Sequence, residues 1–457
     1  MDQKSYLSSD DIRERFSAAI SDMYRQEVPL YGELLDIVAK ANAEALAASH
    51  MLEDELRAGG ELTRINMERH GAIRLGSPAE LAIMRRVFAV MGMYPVGYYD
   101  LTLAGVPVHA TAFRPIEPAA LQRNPFRVFT SLLRLDLIEN KALRDTAATQ
   151  LAKRRIFSDK ALRLTEKFEA AGGLGTVDAT HFVSEALETF RWHAEAAVDG
   201  DTYRALSGAH QLIADVVAFK GPHINHLTPR TLDIDAAQRE MERRGIGAKA
   251  VIEGPPRRRH PILLRQTSFT AVAQTVRFVG AQVTEVGTHT ARFGEIEQRG
   301  IALTQKGRVL YDKLLAQALH TDDTTEVAYP ARLTDAFRKF PDDLAQIRRE
   351  GLAYFRYGFV ESAVIPEDDA FDLETEIGRG TVRADPIVYE DFLPVSAAGI
   401  FRSNLGLDDK KIYGSSAAEA EFVEALGSET IDPFRLYAKA ERESVEALRA
   451  IVRRNRM

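Results

Sequence analysis

The chain has 457 residues, 45% of them hydrophobic, enough to bury more than one core and to form about two to four domains. Its formal net charge of -7 excludes the polybasic footprint of a nucleic-acid or anionic-membrane binder; Arg257-Arg-Arg-His260 and Arg453-Arg-Asn-Arg456 read as solvated loop and tail charges. The absence of cysteine excludes disulfides, thiolate metal sites and a Cys nucleophile, so a metal must be bound by His, carboxylate or water, and it fits a reducing compartment. Met1-Asp-Gln-Lys-Ser-Tyr6 lacks a signal-peptide core, and no run of about 18 apolar residues occurs, which predicts a soluble, cytoplasmic protein without a membrane partner.

Residues 1–62 form an N-terminal helical segment, with Leu30, Leu34, Leu35, Val38 and Ala39 at helical spacing and a Gly59-Gly60 stop. A first β-α-β-β-β module is predicted over 63–135. Residues 63–75 are strand-like, Ser77-Pro78-Ala79-Glu80 opens a helix over 78–90 as a capping box, 98–113 form a hairpin turning at Gly105, and 126–133 form the last strand. An Ala-rich helical insertion follows over 136–220, broken at Gly172-Gly173. The β-α-β-β-β order then recurs over 221–304, with a strand at 223–230, a helix at 233–244, and strands at 248–252, 262–278 and 288–303. The region 305–457 reads as mixed but mostly helical and as covering the pocket, with helices near 333–355 and 417–453 and an acidic loop at 367–376.

Two segments about 156 residues apart carry the duplication: His70, Arg74 and Ser77 correspond to His226, Arg230 and Asp233. Two equivalent histidines facing one another make half a metal site. Period-two alternation in the charged segment Arg292-Phe-Gly-Glu-Ile-Glu-Gln-Arg-Gly300 puts Glu295, Glu297 and Arg299 on one face. One of these carboxylates with His70 and His226 would form the two-His-one-carboxylate set that binds Fe(II) and leaves positions open for substrate and oxygen. The residues alone leave Glu295 and Glu297 as alternatives, the other pairing with Arg292 or Arg299. His223, His289, His109 and His260 are lesser candidates; each also fits a hydrogen-bonded structural role. Arg74 shares the face of His70 and lies roughly 13 Å further along a strand. There it suits either the far carboxylate of a short dianionic substrate or an internal ion pair with a Glu.

Arg69-His-Gly-Ala-Ile-Arg74, His223-Ile-Asn-His-Leu-Thr-Pro-Arg230, the 292–300 segment and Pro394-Val-Ser-Ala-Ala-Gly-Ile-Phe-Arg-Ser-Asn404 together resemble the 2-oxoadipate dioxygenase/decarboxylases of bacterial lysine catabolism, once known only as a domain of unknown function. The resemblance implies an α+β fold with a vicinal-oxygen-chelate-like β-barrel built from the two modules, similar in chemistry to hydroxymandelate synthase. It implies Fe(II) held by His70, His226 and Glu295, with Glu297 in reserve. It also implies a catalytic, substrate-binding Arg74, substrate contact at His70 and His226, and a pocket lined by the backbone of Val395 and Ser396. The implied partners are a small 2-oxo dicarboxylic acid and O2, and the implied product is (R)-2-hydroxyglutarate. Composition and spacing alone also fit a divalent-metal lyase or isomerase that consumes no oxygen, or a small dicarboxylate-binding protein. Oligomeric state is not specified by the sequence.

Overall fold

A computed structural model of the chain describes residues 6–102, 105–249, 251–279, 284–319, 329–360, 371–393 and 415–454. The N-terminal part comprises β1 (Tyr6–Leu7) and helices α1 (Ser9–Glu27), α2 (Pro29–Ala48) and α3 (His50–Ala58). Next come β2 (Arg69–Leu75), α4 (Pro78–Val90), β3 (Tyr94–Asp100), β4 (Val108–Arg114), α5 (Pro118–Arg123) and β5 (Arg127–Leu133). The insertion holds α6 (Lys141–Lys153), α7 (Asp159–Ala171), β6 (Leu174–Gly175), α8 (Thr176–Glu188), α9 (Gly200–Ala209) and α10 (Gln211–Val217). β7 (His226–Pro229), α11 (Ile234–Arg243), β8 (Leu264–Ser268), β9 (Val272–Val279), β10 (Thr284–Arg292) and β11 (Glu295–Arg299) follow. The remainder is α12 (Gln305–Leu319), α13 (Tyr329–Phe337), α14 (Leu344–Arg349), β12 (Phe355–Phe359), α15 (Leu373–Gly378), β13 (Val382–Pro386), α16 (Ser415–Leu426) and α17 (Pro433–Arg454).

The strand-to-helix turns of the two halves are built alike. The Ser77 hydroxyl accepts the Glu80 N–H at 3.3 Å to start α4, and the Asp233 carboxylate accepts the Ala236 N–H at 2.9 Å to start α11. Glu80 does not close the expected capping box. Its carboxylate accepts from the Gly76 N–H at 2.8 Å and pairs with Arg154 at 2.6 Å, because a buried cation from the helical insertion outcompetes the backbone donor of the cap.

One sheet runs in the order β3-β4-β5-β2-β7, with β2 parallel to β5 and antiparallel to β7. A parallel bridge between Arg230 and Glu297, with the Thr231 N–H donating to the Glu297 carbonyl at 2.7 Å, continues it into the antiparallel pair β11-β8. Antiparallel bridges from Ala248 to Phe269 and from Glu253 to Gln266 stand where the first half has β3. The same pairing pattern thus occurs on either side of the β2–β7 junction.

Several boundaries differ from expectation. Among the described residues of 248–252 no continuous strand forms, only the bridges. The 262–278 stretch breaks after Ser268 and the 288–303 stretch breaks at Phe293-Gly294, leaving a β9–β10 hairpin between β8 and β11. Gly294 permits this close turn, since a Cβ there would lie 2.2 Å from the Phe269 ring. Residues 63–67 are turns rather than strand. The 333–355 helical region is interrupted by Pro341 and Gly351, and Gly351 has φ +63°. A β12–β13 pair was not foreseen, and the described part of the acidic stretch includes a helix, α15, capped by Asp372.

Alternation decides which face of the sheet does what. Ile73, Leu75, Leu227 and Ile296 point into a core shared with Phe16, Ile20, Leu34 and Phe88 of the flanking helices. The intervening residues place His70, Ala72 and Arg74 of β2, His226 and Thr228 of β7, and Glu295, Glu297 and Arg299 of β11 on the opposite face. A one-residue slip of β2 would exchange Ile73 for Arg74 in the core, so burial on both faces fixes the register.

Candidate metal centre

His70 and His226 approach one another because β2 and β7 are antiparallel neighbours. His70 stands opposite Thr228 and Ala72 opposite His226, so the two histidines are a diagonal cross-strand pair, with ring centroids 5.4 Å apart at 90°. The parallel contact between β7 and β11 then brings Glu295 to the same place. His70 Nε2 lies 3.0 Å from Glu295 Oε1, and His226 Nε2 lies 3.9 Å from that oxygen. One donor atom from each of His70, His226 and Glu295 falls within 4.8 Å of the others, a spacing that can hold a metal ion. All three residues are buried.

Glu295 Oε1 accepts from the Thr228 hydroxyl at 3.0 Å and from the Gln266 amide at 2.8 Å, while its buried Oε2 has no hydrogen-bond partner, nor has His226 Nδ1. An unpartnered buried carboxylate oxygen is costly unless something else pairs with it. A cation between two imidazoles and this carboxylate would do so, and the donor set fits a borderline transition metal. Glu297 is placed differently. Its two oxygens accept from Arg299 at 2.8 and 2.9 Å, and Oε2 lies 2.8 Å from His70 Nδ1. It is therefore the carboxylate behind the histidine, the arrangement that orients an imidazole whose other nitrogen faces a metal.

The electrostatics follow from burial and these neighbours. Burial pushes the His226 imidazole down to about 3, so it is neutral, with a nitrogen lone pair available. Burial also opposes charge on His70, but Glu297 and Glu295 more than offset it and raise its pKa above the ordinary 6.5. Glu297 is held at about 2 despite burial by Arg299, His70 and Arg127. Glu295 is likewise lowered against burial, by His226 and His70. Phe392 and Phe293 close over the imidazoles, with ring centroids 4.9 Å from His70 and 4.8 Å from His226.

Arg74 is buried on the same face, and its Nη1 lies 2.5 Å from Asp215 Oδ2 on α10. The internal partner is thus an aspartate of the helical insertion rather than a glutamate of β11. Its duplicate, Arg230, pairs with Glu61 at 2.6 Å and with Glu68 at 3.1 Å. His223 and His289 gather around Asp215 in a second buried cluster. His109 packs between Tyr98 and Phe422, and neither it nor His260 joins either cluster. Val395 and Ser396 lie outside the described residues. Asp215 was not singled out from sequence, although a lone carboxylate in the apolar run Leu212-Ile-Ala-Asp-Val-Val217 is a readable signal of a buried partner. Among the described residues no helix is long and apolar enough to cross a membrane.

Comparisons with known proteins agree over nearly the whole length. The family model described as 2-oxoadipate dioxygenase/decarboxylase matches residues 16–404. The 2-oxoadipate dioxygenase/decarboxylase of Pseudomonas putida is 55% identical over 98% of this chain and 98% of its own, and that of Mycobacterium tuberculosis is 40% identical over 96% and 98%. The crystal structure of the Pseudomonas putida hydroxyglutarate synthase in complex with 2-oxoadipate superposes with a TM-score of 0.91 at 53% identity, covering 98% of this chain and 99% of that one. A buried two-histidine, one-carboxylate cluster at the junction of two like modules, in a chain this similar to those enzymes, leads to one conclusion: the chain belongs to the 2-oxoadipate dioxygenase/decarboxylase family.

Proposed function

We propose that this chain is an Fe(II)-dependent enzyme of lysine breakdown that converts 2-oxoadipate and O2 to (R)-2-hydroxyglutarate and CO2. The observation that carries the reading is the convergence of His70, His226 and Glu295 on one point of the sheet face, with Glu295 Oε2 unpartnered. An Fe(II) ion at that point would supply oxygen activation, with coordination positions left for the 2-oxo acid. We also read the paired modules as a vicinal-oxygen-chelate-like barrel and retain the division into 1–62, 63–135, 136–220, 221–304 and 305–457.

The chain's own groups have distinct tasks. Glu297, clamped by Arg299, lies 2.8 Å from His70 Nδ1 and by this charge contact keeps Nε2 facing the site. Thr228 and Gln266 hold Glu295 through Oε1, the oxygen that faces both imidazoles, while Oε2 keeps no partner. Phe392 and Phe293 exclude water from the imidazoles. Arg74 binds the 6-carboxylate of the substrate, and Val395 and Ser396 are assigned to substrate binding.

The overall reaction balances without another co-substrate. C1 leaves as CO2, one oxygen atom enters the carboxylate formed at the former C2, and the other becomes the hydroxyl at the former C3. Turnover under 18O2 is expected to give 2-hydroxyglutarate carrying two labelled atoms, read by mass spectrometry. Unlabelled 2-hydroxyglutarate would contradict the dioxygenase reading, whereas consumption of 2-oxoadipate to a different product without oxygen uptake would favour a lyase or isomerase.

A further inference from the structure

Asp215 is the hub of a buried hydrogen-bonded chain that the metal centre does not use. Its Oδ2 faces Arg74 Nη1 at 2.5 Å and Asn225 Nδ2 at 3.4 Å. Its Oδ1 lies 2.8 Å from His289 Nε2 and 3.1 Å from His223 Nε2. On the far side of His289, Nδ1 lies 2.8 Å from the Tyr203 hydroxyl of α9. Because a carboxylate only accepts, His289 donates through Nε2; its Nδ1 then accepts, and Tyr203 donates. Trp192 stacks parallel to His289 and edge-on to His223, which fixes both rings. The three acidic and imidazole groups have the spacing of a metal site, but the Arg74 cation already sits against the carboxylate, so a second cation there would be repelled.

We propose that Asp215, held by His289 and Tyr203, positions the Arg74 guanidinium and thereby sets the chain length of 2-oxo dicarboxylate that the site accepts. The inference rests on the reading of Arg74 as the group that binds the distal carboxylate. An arginine side chain has enough torsional freedom to follow a carboxylate displaced by one methylene, so it measures length only when it is anchored. Productive geometry tolerates only about 0.5 Å of misplacement. The anchor is carried by α9, α10 and β10, whereas the metal-facing residues come from β2, β7 and β11, so length selection and metal binding are separable.

The test uses full-length protein loaded anaerobically with Fe(II). Kd by calorimetry, kcat and KM are measured for 2-oxoglutarate, 2-oxoadipate and 2-oxopimelate, and for 2-oxohexanoate, which lacks the distal carboxylate. In Asp215→Asn the preference for 2-oxoadipate over its shorter and longer homologues is expected to fall about tenfold, with kcat/KM for 2-oxohexanoate within about twofold and metal content unchanged. Tyr203→Phe is expected to shift the same ratios in the same direction by about two- to fivefold. Adding Asp215→Asn to Arg74→Ala should change the ratios no further, since Asp215 acts through Arg74.

A parallel loss for all four acids, or a lost equivalent of metal, in Asp215→Asn would overturn the proposal in favour of a structural or metal-binding cluster. If Asp215→Asn does not fold, Tyr203→Phe decides, and unchanged ratios overturn it. Unchanged chain-length ratios in Arg74→Ala would instead remove the underlying reading of Arg74; altered ratios there with none in Asp215→Asn would remove only the positioning role.

Discussion

Glu295 and Glu297 stand two residues apart on one face of β11 and differ only in what surrounds them. Glu297 is held by Arg299 and lies against the rear nitrogen of His70, whereas Glu295 turns Oε1 toward both imidazoles and keeps Oε2 without a partner. Glu295→Gln is therefore expected to lower bound iron far below one per chain. Glu297→Gln is expected to keep the site but weaken metal affinity by about 10- to 100-fold, measured by chelator competition. Equal iron retention in both variants would contradict the assignment. His70→Ala is expected to abolish metal-dependent turnover. The residue pattern alone leaves the two carboxylates as alternatives, and only the family resemblance favours Glu295, because the deciding neighbours come from other strands: Gln266 from β8 and Thr228 from β7 hold Glu295, while Arg292, an alternative partner for the second glutamate, turns away to Glu27 at 2.7 Å.

At the scale of elements, the strands carrying the site are tied together from beneath by buried charge. Glu68, just before β2, lies 2.9 Å from Arg127, 3.1 Å from Arg230, 3.4 Å from Arg299 and 3.5 Å from Arg64, joining β2, β5, β11 and the end of β7. Glu390 also pairs with Arg64, at 2.8 Å, and with Arg127. Removing the shared charge leaves four buried guanidinium groups with one carboxylate fewer, although Glu390 still pairs with Arg64 and Arg127, Glu61 with Arg230 and Glu297 with Arg299. Glu68→Gln is expected to cost about 1–3 kcal/mol of stability, read as a lowered urea midpoint at unchanged m-value. A loss below about 1 kcal/mol would show that water reaches the cluster. The strand–helix turns of both halves were legible from Ser77 and Asp233, and the recurring pairing was legible from the His and Arg spacing. The breaks at Phe269 and Gly294 were not, because continuous β-branched and aromatic runs look alike whether one strand or two result. The Asp215 cluster was legible only in its histidines, since its assembly depends on how the helical insertion packs against β2 and β10.

For the whole molecule, one buried and one half-buried histidine, both neutral, set an acid limit that is independent of the metal centre. Burial, with help from Arg134, pushes His109 down to about 4, and burial with Arg74 does the same to His210, from an ordinary 6.5. Between those values the unfolded chain binds protons that the folded chain refuses, so stability is full above pH 6.5 and falls as pH drops toward 4. The urea midpoint is expected to fall through that window, and His109→Phe, flanked by Tyr98 and Phe422, is expected to flatten the decline. An identical slope in the variant would remove His109 from the acid limit, and a steeper one would contradict the sign. Assembly of a centre for oxidative decarboxylation of 2-oxoadipate by two like modules fixes a reaction stoichiometry that can be measured. Purified protein is loaded anaerobically with Fe(II), given 2-oxoadipate and then exposed to air, while O2 uptake, CO2 release and 2-hydroxyglutarate are followed together. Equal amounts of all three are expected, and none without iron; no oxygen uptake with iron bound and 2-oxoadipate present would rule this chemistry out.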